Sequence, residues 1–157
     1  MDWLGTVFLY LHVAGVIVAF GPTIAFPLIG AKASQEPMHG NFALRLSEYI
    51  ASRLVEPGAI FVFLMGVGLI ITKGYNPLEQ LWVGVAIVLF IITFAYANLV
   101  QIPTVRKMIA LTSQPPPEGA SGPPPEFVAL SKKAAGGGMF QTAMIFAILF
   151  LMIVKPF

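Results

Sequence analysis

The sequence predicts an all-α polytopic membrane protein with four transmembrane helices in an up-down bundle. Of its 157 residues, 57% are hydrophobic and only 10% are charged, whereas an ordinary soluble domain carries about 25% charged residues. The apolar residues gather into four runs, roughly 3–29, 57–73, 80–102 and 138–155. Each run approaches the length of about 20 residues that crosses a hydrocarbon core of about 30 Å. Lipid offers backbone groups no water to bond, so each run is expected to be helical. The whole chain is then one transmembrane domain, with no length left for a separate soluble one.

The first run starts "MDW" without a basic segment and is longer than the apolar region of a signal peptide, so it is expected to be a retained helix. Pro22 and Pro27 should bend its lower part. Between the first two runs, residues 41–55 place Phe42, Leu46, Tyr49, Ile50 and Leu54 at helical spacing, opposite Arg45, Glu48 and Ser52. Two readings of this amphipathic segment stay open. It lies on the inner leaflet, or it extends the second span and kinks at Pro57.

The second and third runs need no special signal beyond length. Gly58, Gly66 and Gly68 in the second should let helices approach closely. Residues 113–134, with "PPPEGASGPPPE" at their start, read as an extended, mobile cytoplasmic linker. The run "AAGGGMF" then gives a flexible lead into the fourth span.

Orientation follows from the basic residues. Lys32, Arg45, Arg53, Arg106, Lys107, Lys132 and Lys133 fall in the 1–2 and 3–4 connections, and only Lys73 and Lys155 lie opposite. The positive-inside rule therefore predicts a cell (inner) membrane protein with both termini outside. Trp3, Tyr75, Trp82 and Phe157 gather at the outer boundary as interfacial anchors. The formal charge of +2 is a topology signal, and no nucleic-acid partner is expected.

The chain has no cysteine, which excludes disulfides, thiolate ligands and a cysteine nucleophile. No GxSxG or HExxH motif and no paired intramembrane carboxylates support a hydrolase. One histidine, His12, lies about 14 Å below Trp3, near the bilayer middle. A charged imidazole is costly there, so His12 is expected to be neutral and hydrogen-bonded. It shares a helix face with Gly15, Ala19 and Thr23, a small-residue face suited to another helix. Three roles follow for it: an interhelical hydrogen bond, a cofactor or metal ligand, or proton transfer. A second haem ligand would have to be Met65 or Met144, because His39 falls in a loop.

A second polar group, Glu56, Asn98, Gln101 and Gln141, gathers towards the cytoplasmic ends of the last three spans, beside the carbonyl freed by Pro103. It reads as interhelical bonding with a carboxylate at a helix N-terminus, or as a cation or solute site.

"YLHVAG", "EPGAIFVFLMGVGLII", "IPTVRKM" and "LFLMIVKP" together resemble a family of uncharacterised bacterial integral membrane proteins, over nearly the whole chain. That resemblance implies a fold and no activity. The His-bearing first helix is also distantly similar to those of copper-resistance D proteins and membrane protoporphyrinogen oxidases, which implies copper or haem b on His12. The first expectation for function is a non-enzymatic accessory or oligomer-forming membrane subunit, with the bilayer and itself or another membrane subunit as partners. The alternatives are a haem- or copper-binding protein using His12, and a small-solute or ion transporter.

Overall fold

The computed structural model describes residues 3–113 and 122–156. Residues 1–2, Phe157 and the whole first PPPE repeat lie outside the described residues. Among the described residues there is no strand, and four rods are long and apolar enough to cross a membrane: Trp3–Gln35, Pro37–Lys73, Leu81–Leu111 and Pro125–Val154.

The first rod comprises α1 (Trp3–Phe20) and α2 (Phe26–Gln35), joined by a 3-10 turn, Gly21–Ala25. The second comprises α3 (Gly40–Ile50) and α4 (Glu56–Lys73), joined by a π turn, Ala51–Val55. The third comprises α5 (Leu81–Tyr96) and α6 (Ile102–Leu111), joined by a π turn, Ala97–Gln101. The fourth is the single helix α7 (Pro125–Val154).

Each irregular turn ends two residues before a proline: Pro27, Pro57 and Pro103. A proline cannot donate to the carbonyl four residues back, and its ring crowds that carbonyl. The preceding turn is tightened in the first rod and widened in the other two, and each rod continues. The amphipathic stretch 41–55 accordingly runs into α4 as part of one rod of 37 residues, about 55 Å long. A hydrocarbon core of about 30 Å cannot cover such a rod. Its polar part, α3, projects beyond the apolar segment.

The expected linker over 113–134 is corrected at its C-terminal end. Residues 125–134 are the start of α7, and Gly136, Gly137 and Gly138 lie inside that helix as well. The reason is local. Pro125 occupies the first helical turn, where a missing N–H costs nothing, and "EFVALSKKAA" behind it is rich in helix formers.

Packing divides the rods into pairs. α1 lies against α4, and α7 lies against α5 and α6. The pairs meet where Phe63 of α4 stacks on Phe90 of α5, with centroids 5.2 Å apart. They meet again at the polar end, where α3 packs on α6. There Asn41 Nδ2 donates to Ile109 O at 3.1 Å and to Thr112 Oγ1 at 2.9 Å. Arg106 Nη2 and Nε sit 2.8 and 2.9 Å from Glu48 Oε1.

At the opposite end, Gly74 takes a left-handed conformation with φ 66°, which ends α4 at little steric cost. The short 2–3 connection follows. Trp82, Val83, Ala86 and Leu151 form a small core beneath it, edged by Tyr75. Lys155 Nζ stands 5.1 Å from the Trp82 ring centroid and 5.6 Å from that of Tyr75.

Candidate functional site

At the α1–α4 interface a glycine stands on one side of each close contact, and His12 sits within it. The two helices run antiparallel. Ala19 meets Gly58, Gly15 meets Phe61 and Val62, His12 meets Gly66, and Phe8 meets Gly68. The glycines are required by proximity. A β-carbon at Gly58 would lie 2.6 Å from the Ala19 methyl, and one at Gly68 would lie 2.5 Å from the Phe8 ring.

His12 is half-buried, and its Nδ1 lies 2.9 Å from the Val62 carbonyl. A carbonyl can only accept, so Nδ1 carries the proton and Nε2 keeps its lone pair. Gly66 makes this contact available. In a helix the carbonyl of residue 62 points along the axis towards residue 66, where a side chain would shade it. A β-carbon at Gly66 would lie 3.2 Å from His12 Cε1 and 3.4 Å from Nδ1. The small-residue face of α1 is therefore turned to α4 at His12, Gly15 and Ala19. Thr23 instead donates to Phe20 O at 2.6 Å, within its own rod.

The methionines occupy different places. Met65 precedes the glycine beneath the imidazole and projects about 100° around α4 from it. Met144 is half-buried on α7, which packs on α5 and α6, whereas α1 packs on α4. His39 closes a 3-10 turn, Pro37–His39, in the connection between the first two rods. Among the described residues, no group of three or more His, Cys, Asp or Glu side chains is placed to hold a metal.

The second polar group is spread across three rods. Gln101 Nε2 donates to Ala134 O on α7 at 3.0 Å, an interhelical bond. Asn98 Nδ2 donates to Phe94 O at 2.9 Å, one turn back on its own rod. Glu56 begins α4 and Gln141 lies on α7. Gly137 makes the Gln101 contact possible, because Gln101 Oε1 and the Tyr96 hydroxyl occupy the space where its β-carbon would stand. No residue spacing in the sequence points to this Tyr96–Gln101–Gly137 contact. Its only forewarning is the triple glycine, which suggests flexibility as readily as close approach.

Residues 6–156 match the model of a family described as predicted integral membrane protein (DUF2269). The chain belongs to that family. No curated protein and no solved structure matches it. For this DUF2269 protein the family supplies membrane residence, in agreement with its four apolar rods, and leaves the chemistry to the residues themselves.

Proposed function

We propose that this protein is a non-enzymatic accessory or oligomer-forming subunit of the cell membrane, with both termini outside. The observation that carries the reading is an unfilled apolar groove along the α1–α4 pair. It is lined by Leu11, Ala14, Gly15, Val18, Gly58 and Phe61. Small residues along a membrane helix let a second backbone approach closely enough for dispersion contacts that lipid tails do not match. A transmembrane helix of a second copy is the occupant this shape suits. Val18 lines this groove and is exposed.

Counting subunits by single-molecule photobleaching in lipid bilayers tests this. Wild type should give steps for two or more copies, and Val18→Trp should give mostly one while keeping the wild-type unfolding midpoint in detergent. A wild-type protein that stays monomeric at every density refutes the proposal, as does an unchanged count in Val18→Trp.

One contact favours a second reading, in which His12 binds haem b or copper. The Nδ1–H bond to the Val62 carbonyl holds the ring in the tautomer whose Nε2 is free to ligate, the arrangement that orients histidine ligands elsewhere. The visible spectrum and metal content of protein purified from haem- and copper-replete cells test it. A Soret band or stoichiometric copper that disappears in His12→Ala supports ligation. Colourless, metal-free wild-type protein refutes it.

A further inference from the structure

Where the last three rods leave the apolar region at the α3–α6 end, they carry basic side chains at a similar depth. Arg53 is five residues before Gly58, Lys107 is six after Gln101, and Lys132 and Lys133 are seven and six before Met139. At 1.5 Å per residue these positions lie about 8 to 10 Å beyond the apolar segments. Headgroup regions add about 5 to 7 Å to each side of the hydrocarbon. Long basic side chains can reach back across the small difference to the phosphate level.

All four side chains are exposed, and among the described residues none makes an ion pair. Lys32 and Arg106 differ, because Glu36 and Glu48 already hold them at 2.7 and 2.8 Å. Packing sets three of these cations on adjoining helices, since α6, which carries Lys107, contacts α7, which carries Lys132 and Lys133; α6 also contacts α3, which ends at Ile50 just before the turn that holds Arg53. The carboxylates nearest in sequence are Glu56, three residues after Arg53, and Glu126, about two turns before Lys132.

We infer that Arg53, Lys107, Lys132 and Lys133 form a collar that binds the phosphodiester headgroups of anionic phospholipids. Charge complementarity and depth both point to this occupant: the collar is cationic, unneutralised by its own chain, and level with lipid phosphates. The inference holds whichever side of the membrane this end faces, and it is independent of the groove between α1 and α4.

The full chain in nanodiscs of phosphatidylcholine with increasing phosphatidylglycerol provides the test, with headgroup enrichment read by quenching of a headgroup-labelled lipid. Wild type should enrich phosphatidylglycerol over phosphatidylcholine, less so at high salt. The triple variant Lys107→Gln, Lys132→Gln, Lys133→Gln should lose at least tenfold in that preference. Each lost cation is worth about fivefold by the usual surface electrostatics. Lys155→Gln, at the far end, should leave the preference unchanged. No wild-type preference overturns the proposal, and so does a preference that survives in the triple variant. Saturation of the same residues by inorganic phosphate without any lipid preference also overturns it.

Discussion

Gly58→Ala is the sharpest test of how α1 and α4 are held together. The added methyl would stand 2.6 Å from the Ala19 methyl and 3.3 Å from its Cα. Carbon atoms in van der Waals contact are about 3.5 to 4.0 Å apart. Neither partner has a rotatable side chain with which to yield, so α1 must move away by about 1 Å. A rigid shift of that size takes the His12–Val62 distance from 2.9 Å to about 3.9 Å, which ends the hydrogen bond.

Overpacking of this kind costs about 1 to 3 kcal/mol, and an interhelical hydrogen bond in a membrane contributes about 0.6 kcal/mol and at most about 1.7. Reversible unfolding in mixed detergent–SDS micelles reads the loss. Replacing Ala19 by glycine in the Gly58→Ala background removes the clashing methyl and should recover most of the stability. Gly30→Ala, where a β-carbon meets nothing within 4 Å, should be neutral or slightly stabilising. Wild-type stability in Gly58→Ala, or no recovery in the double variant, would show that these backbones are not in the contact described.

The other contacts give further expectations. Gly66→Ala and His12→Ala, measured singly and together in the same unfolding assay, should show a coupling of about 0.6 to 1.7 kcal/mol. Additive effects would remove Gly66 as the opening through which His12 reaches Val62. Gly137→Ala should destabilise more than Gln101→Leu, because it displaces both Gln101 and Tyr96, and the reverse order in melting temperature would contradict the packing. Glu48→Gln should cost less than about 1 kcal/mol, and the cost should shrink in high salt, since the Arg106 side chain is 62% exposed. Single cysteines at Ser34 and Glu79 have no native thiol background. An impermeant maleimide applied to intact cells should label only the cysteine at Glu79.

Much of this arrangement was legible in the residues. The spacing of His12, Gly15 and Ala19 on one face is a local property of a helix, and it identified the face that meets α4. The partner atom was not legible. A backbone carbonyl leaves no mark in sequence, and Val62 reads as one more apolar residue. The polar latch was equally hidden, because Asn41 and Thr112 are 71 residues apart and Glu48 and Arg106 are 58 apart. The start of α7 departs from the expected linker for a different reason. Prolines and glycines on either side of "EFVALSKKAA" signalled a linker, while the segment between them has the composition of a helix. Of the second polar group, among the described residues, Gln101 alone bridges two rods by a hydrogen bond, and the sequence does not separate it from Asn98 three residues earlier.

The distribution of close contacts also says which substitutions matter in this protein. In water, burying a leucine drives folding, but a leucine facing another helix and a leucine facing lipid tails are in equally apolar surroundings. The α1–α4 pair must then be held by contact distance and by hydrogen bonds. Both depend on residues that contribute almost no hydrophobic surface: Gly58, Gly66 and Gly68, Ala19, and the imidazole of His12. Exposed apolar residues such as Ile17, Leu64 and Ile71 should tolerate exchange among leucine, isoleucine and valine with little change in stability. One methyl on Gly58 should cost more than any of those exchanges. The positions that define this structure are consequently the smallest ones, and two of them, Gly58 and Ala19, also line the groove where a second helix would lie.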